Sequence, residues 1–244
     1  MKLIPQDRLI IALDTENLDS AKKIVGQLGD LVSIYKVGIE LFTAVGPEIL
    51  DWLAKEKKKV FLDLKFHDIP RSVTQAAFSV LKENIFMFNL HLFGGELMIS
   101  QTVTKIKQTS QKQRKKSPLI IGVTVLTSLL DEDLKRIGMN KDLSSLVLDL
   151  AIMGKGAGLD GVVASAREAK MIKEKLGRDF LVVTPGIRPA GASADDQKRI
   201  TTPREAIGAG ADFLVVGRPI TQSADPIQSA KEILSELERT QDAH

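Results

Sequence analysis

Cysteine is absent from this 244-residue chain. That absence excludes disulfides, thiolate nucleophiles, cysteine-ligated zinc and iron–sulfur clusters. Histidine is scarce: His67, His91 and His244 are the whole set, and no two have metal-ligand spacing. Neither a metal nor an organic cofactor is expected. Aromatic residues are few, 5% of the chain with one Trp and one Tyr. None interrupts the basic runs Lys55-Glu56-Lys57-Lys58-Lys59 and Lys112-Gln113-Arg114-Lys115-Lys116. Nucleic-acid platforms interleave aromatics with cations, so these runs read as solvated helix ends and no nucleic-acid partner is expected. No apolar stretch reaches membrane-spanning length. The apolar N-terminal run is broken by Asp7, Arg8 and Asp14, which does not fit a signal peptide. A cytoplasmic protein with no membrane partner is expected. Neither sign of charge dominates; the net charge of +3 leaves a small cationic excess that suits an anionic ligand.

What is present is an alternation. Short β-rich runs occupy Leu9–Leu13, Ser33–Val37, Val60–Leu64, Ile85–His91, Leu119–Val125, Gly161–Ala164, Phe180–Val183 and Phe213–Val216. Helical patterns lie between them at Leu18–Leu28, Pro47–Lys55, Ser72–Lys82, Gly95–Lys107, Leu143–Lys155, Ala166–Leu176 and Pro203–Ile207, and Asp225–Glu238 closes the chain. Strand–helix alternation implies parallel βαβ units. Eight units in a chain of this length predict an α/β fold, a single-domain (β/α)8 TIM barrel over residues 1–244, with an open doubly wound sheet as the alternative. An internal echo fits the barrel: Gly156-Ala157-Gly158-Leu159-Asp160 precedes strand six and Gly208-Ala209-Gly210-Ala211-Asp212 precedes strand eight. Both read as a helix C-cap with glycine in the left-handed region. Gly154-x-Gly156-x-Gly158 is no dinucleotide fingerprint, because it follows a helix and precedes a strand. The one long irregular stretch, 184–202, is the candidate lid.

Barrel active sites lie at the C-terminal ends of the strands, and here those ends carry charge. Strand one leads to Asp14, strand two to Lys36-Val37-Gly38, and strand three to Asp63, Lys65 and Asp68. In a regular strand, residues two apart share a face, so Asp63 and Lys65 are expected side by side. Pro70 then opens a helix. Strand four ends in His91, read as a packed barrel residue rather than a site residue. The end of strand five gives Thr124 and Thr127. Taken singly, Asp14 could cap a helix, Lys36 could snorkel and Asp63–Lys65 could be a strand-end ion pair. Together, two lysines and three aspartates at one barrel mouth would be a costly core without a function. Gly217-Arg218 opens a short helix after strand eight, and with Arg188 and Gln197, which the lid carries, forms a candidate phosphate corner, since backbone N–H groups and a guanidinium suit that anion.

Asp63-Leu64-Lys65-Phe66-His67-Asp68-Ile69-Pro70, Lys36-Val37-Gly38, Val123-Thr124-Val125-Leu126-Thr127-Ser128, Thr184-Pro185-Gly186-Ile187-Arg188 and Val216-Gly217-Arg218-Pro219-Ile220 together resemble orotidine 5′-phosphate decarboxylase of the bacterial type. The resemblance runs from Leu9 to about Pro226. It implies a homodimeric, cofactor-free barrel that converts orotidine 5′-monophosphate to uridine 5′-monophosphate and CO₂. It implies Lys65 as the proton donor to C6, Asp63 beside the leaving carboxylate, Lys36 completing the array and Asp68 reaching into the partner's site. Asp14, Lys36 and Asp68 would touch the ribose, and Ser72 would too, although Thr is usual there. Thr127 would face the pyrimidine. Arg188, Gln197, Gly217 and Arg218 would surround the phosphate. Leu92 stands where a small residue is usual, which questions the packing below strand four. Hexulose-phosphate synthases and ketogulonate-phosphate decarboxylases share the Asp-x-Lys-x-x-Asp motif but use Mg²⁺. Their second strand resembles Glu-Val-Gly, where this chain has Lys36-Val37-Gly38. A phosphoribosyl-binding barrel without catalysis is the remaining alternative.

Overall fold

The computed structural model describes residues 3–81, 84–189 and 201–241. Eight parallel strands close into one barrel in sequence order. They are β1 (Leu9–Ala12), β2 (Ile34–Gly38), β3 (Lys59–Phe66), β4 (Ile85–His91), β5 (Leu119–Val123), β6 (Gly161–Val163), β7 (Leu181–Thr184) and β8 (Phe213–Val216). β1 pairs with both β2 and β8, which closes the ring and rules out the open sheet. The helices pack outside it. Leu9, Ile11, Tyr35, Val37, Leu62, Phe88 and Leu90 face them in one large apolar cluster. No helix among the described residues is long and apolar enough to cross a membrane.

The barrel interior is stratified, and the stratification positions the site. Ile10, Ile34, Phe61, Met87, Ile121 and Phe213 form a separate buried apolar plug. Each such side chain contributes about 1.5–3 kcal/mol on burial, so the plug fixes the strands' register. Two residues further along β2, β3 and β4 stand Lys36, Asp63 and Asn89. Period-two alternation carries these three inward, one layer above the plug.

The glycine echo has a shared purpose at the opposite end of the barrel. Gly158 and Gly210 take φ of 91° and 105°, as the left-handed caps predict. Each delivers an aspartate to the foot of its strand. Asp160 accepts the Ile120 N–H at 2.8 Å and the Lys107 ammonium at 2.9 Å. Asp212 accepts the Val182 N–H at 2.7 Å and the Lys173 ammonium at 2.6 Å. The repeated aspartate thus staples β6 to β5 and β8 to β7.

Leu92 is accommodated by glycine. It is fully buried, and a Cβ on Gly122 of β5 or on Gly154 of the helix Leu143–Gly156 would approach its side chain to 2.9 Å and 3.1 Å. The space a small residue would leave at position 92 is supplied from the neighbouring elements. Gly154 is therefore a packing glycine, in keeping with the rejection of a nucleotide fingerprint.

Among the described residues, four short α-helices lie outside the predicted helical patterns: Pro5–Arg8, Ile39–Val45, Asp131–Arg136 and Arg218–Thr221. Pieces this short carry too few turns for a helical period to register.

Candidate active site

The C-terminal mouth of the barrel holds a cavity of about 520 Å³ lined by Asp14, Lys36, Asp63 and Lys65 on one side and by Arg188 and Arg218 on another. That volume suits a small-molecule ligand of nucleotide size.

The charge array is built upward from β2. Lys36 is only 9% exposed. Its ammonium lies 2.7 Å from Asp14 Oδ1 and 3.5 Å from Asp63 Oδ2. Burial alone would lower its pKa, but the Asp63 and Asp14 carboxylates outweigh burial and hold it above its ordinary value. Asp14 is thus an array member. The helix Leu18–Leu28 is capped by Asn17, whose side chain accepts the Ser20 N–H at 2.9 Å. Gly38 makes the pairing possible: a Cβ there would stand 2.8 Å from the Lys36 ammonium and 3.1 Å from Asp14 Oδ1. The Lys-Val-Gly run therefore supplies a cation and the space it needs.

Asp63 and Lys65 meet as expected, with Lys65 Nζ 2.7 Å from Asp63 Oδ1. They do not meet by ordinary alternation. β3 advances from Leu62 to Phe66 while β4 advances only from Phe88 to Leu90, so β3 is bulged here. Lys65 sits in the bulge at φ 50°, a left-handed conformation that costs a non-glycine residue about 1–2 kcal/mol. Asn89 braces it. Its side-chain oxygen accepts the Lys65 N–H at 2.8 Å, and its amide donates to Asp63 Oδ1 at 2.6 Å. Sequence reasoning missed Asn89. The signal was its place two residues after Met87 on β4, a fully buried amide among apolar neighbours.

His91 stacks between His67 and Phe93, at ring distances of 5.3 Å and 5.4 Å. Burial first, then the charges of His67 and Lys65, push its pKa down to about 4. It is neutral at physiological pH and does not line the cavity.

The remaining expected residues divide. Thr127 and Gly217 line the cavity, as do Arg188 and Arg218. Arg188 is buried, and its backbone N–H donates to the Thr201 carbonyl. Thr124 is structural: fully buried, it donates to the Val163 carbonyl at 2.9 Å. Asp68 and Ser72 are exposed and lie outside the cavity lining. Asp68 Oδ1 accepts the N–H of Ile69 at 2.6 Å. Gln197, and with it most of the candidate lid, lies outside the described residues.

Fold and mouth together define a (β/α)8 barrel that presents alternating ammonium and carboxylate groups, built around the buried Lys36, to a ligand cavity lined also by two arginines. The chain matches the Orotidine 5'-phosphate decarboxylase / HUMPS family over residues 7–233, and it belongs to that family. A relative from Syntrophotalea carbinolica, named orotidine 5'-phosphate decarboxylase, is 46% identical over 94% of both chains. One of the same name from Idiomarina loihiensis is 47% identical, covering 94% of this chain and 97% of its own. The crystal structure of orotidine 5'-phosphate decarboxylase from Lactobacillus acidophilus superposes with a TM-score of 0.83 at 37% identity, covering 94% of this chain and 98% of that one.

Proposed function

We propose that this chain, acting as one barrel domain, decarboxylates orotidine 5′-monophosphate to uridine 5′-monophosphate and CO₂ in de novo pyrimidine synthesis. The observation that carries the reading is the Asp63 carboxylate held between two ammonium groups, Lys65 at 2.7 Å and Lys36 at 3.5 Å. Loss of CO₂ from the pyrimidine C6 leaves the bonding pair on that carbon, with no adjacent carbonyl to receive it. Stabilisation must then come from fixed charge that needs no reorganisation. Lys65 faces the developing carbanion, stabilises it and transfers a proton from Nζ to C6. The neutral amine left behind regains a proton from solvent. Asp63 lies by the departing carboxylate, and Lys36 holds Asp63 and Asp14 in place. Asp14 and Lys36 meet the ribose, and Thr127 faces the pyrimidine. Arg188, Gln197, Gly217 and Arg218 take the phosphate, whose binding energy is realised far from C6.

The Mg²⁺-dependent members of the wider family put a carboxylate where Lys36 stands. Here an ammonium lies between the Asp14 and Asp63 carboxylates, the position a divalent cation would need. Its charge opposes metal binding there.

The working unit is a homodimer. Asp68 and Ser72 both stand outside their own chain's cavity, at the start of the helix Pro70–Val80. Ile39, Ile69 and Leu97, each in a segment that follows one of the strands β2 to β4, are exposed apolar side chains that a second copy would cover. Asp68 and Ser72 then complete the neighbour's site.

The test is spectroscopic. Protein stripped with EDTA and mixed with orotidine 5′-monophosphate should abolish the orotidylate ultraviolet absorbance with turnover. Binding without absorbance loss would indicate a non-catalytic phosphoribosyl barrel. Loss that appears only after Mg²⁺ is added would indicate the metal-dependent branch.

A further inference from the structure

We propose that Asn89 is a positioning residue for the decarboxylation, setting the relative geometry of the Lys65 ammonium and the Asp63 carboxylate. The inference rests on the decarboxylase reading above. Asn89 is fully buried at the level of β4 that faces the β3 bulge. Its amide orientation is fixed by chemistry. The Lys65 N–H can only donate and an ionised Asp63 can only accept, so the oxygen must face Lys65 and the nitrogen must face Asp63. The two bonds, 2.8 Å and 2.6 Å, tie the backbone of one array member to the side chain of the other.

Each bond has a separate consequence. The bond from the Lys65 N–H satisfies a donor that the bulge removes from the β3–β4 ladder, and it holds Lys65 at φ 50°. That fixes where the lysine side chain starts. The bond to Asp63 Oδ1 adds a second donor to the oxygen that Lys65 Nζ already touches, while Oδ2 faces Lys36. Three donors on two oxygens leave the carboxylate a single orientation. Without the amide, Asp63 can rotate about its χ2 and draw the Lys65 ammonium with it. Misplacement of a reacting group by about 1 Å can cost on the order of a hundredfold in rate.

Asn89→Ala removes both bonds, and Asn89→Asp removes only one. The new carboxyl of Asn89→Asp can still accept the Lys65 N–H, but when ionised it repels Asp63. Protonated, it donates to Asp63 as the amide did. In Asn89→Ala, kcat for orotidylate should fall roughly ten- to hundredfold. KM and the affinity for uridine 5′-monophosphate should change less than about threefold, because the phosphate corner is untouched. In Asn89→Asp, kcat should be low at about pH 8 and rise relative to wild type as the pH falls towards about 5, since the carboxylate pair then shares a proton. A residue with a merely structural role would leave the shape of that profile unchanged. Hydrogen exchange at the Lys65 amide should be slow in wild type and Asn89→Asp and fast in Asn89→Ala, whatever the turnover. Wild-type turnover in the same assay reports separately on the decarboxylase reading. Overturning results would be an Asn89→Ala kcat within about twofold of wild type, an Asn89→Asp profile parallel to wild type, or equal Lys65 amide protection in all three proteins. If Asn89→Ala does not fold, the Asn89→Asp profile and amide exchange decide alone.

Discussion

A lysine ammonium that is 9% exposed would cost several kcal/mol in lost hydration if it stood alone. Lys36 does not stand alone, and its two carboxylate partners are the reason the array exists before any ligand arrives. Such preorganisation is what electrostatic catalysis requires, because no reorientation is left for the moment of reaction. Most of the candidate site was legible as residue types at strand ends: two lysines, three aspartates and two arginines where barrels place their chemistry. Asn89 was not, because a single amide in an apolar strand carries no charge pattern to mark it. The phosphate corner also yields a prediction at this scale. Arg218→Ala should weaken uridine 5′-monophosphate by roughly ten- to a thousandfold, the loss of one or two charge-assisted bonds, and leave uridine nearly unaffected. Equal losses for nucleotide and nucleoside, measured by calorimetry, would remove Arg218 from phosphate binding.

At the scale of the element, β3 and β4 form the part of the barrel that departs from regularity. Alternation along β3 predicted that Asp63 and Lys65 would share a face. They do converge, but through a bulge and a left-handed lysine, which period-two reasoning has no means to represent. The pattern placed the strand at Val60–Leu64, whereas it continues to Phe66 because the bulge lets Phe66 rejoin Leu90. The glycine echo was legible for the opposite reason: left-handed caps and strand-foot aspartates are local devices, written in consecutive residues. β4 ends in His91, which carries an acid sensitivity. Its folded pKa of about 4 lies below the ordinary 6.5. Between those values the unfolded chain binds a proton that the folded chain does not, so folding loses stability as the pH falls from 6.5 towards 4 and levels off below. The full shift would be worth about 3 kcal/mol, and solvent screening of this partly exposed ring makes the loss smaller than that. His91→Asn retains an acceptor for the Phe93 N–H and should flatten that part of the stability profile, measured by urea denaturation across the range. An unchanged slope would show that other groups carry it.

For the whole molecule, eightfold alternation in the sequence pointed to the barrel, because each βα unit repeats the same apolar logic, and the β1–β8 pairing excludes the open sheet that alternation alone left standing. Partnership between copies is a different matter, since a two-fold interface leaves no periodic trace in one chain. Asp68 and Ser72 stand outside their own cavity, and the shared-site reading can be tested by complementation. Lys65→Ala and Asp68→Ala homodimers should each be severely impaired. Co-refolded in equal amounts, they should form about half mixed dimers, each with one intact site, and recover roughly a quarter of wild-type activity. No recovery, with mixed dimers shown to be present, would place Asp68 in its own chain's site. The central claim is that the barrel holds one ammonium, that of Lys65, where a carbanion forms. The most direct measurement is orotidylate turnover by Lys65→Ala beside its affinity for uridine 5′-monophosphate. The account predicts a loss of turnover by several orders of magnitude, as for removal of a group acting only in the transition state, with nucleotide binding retained; turnover near the wild-type rate would contradict it.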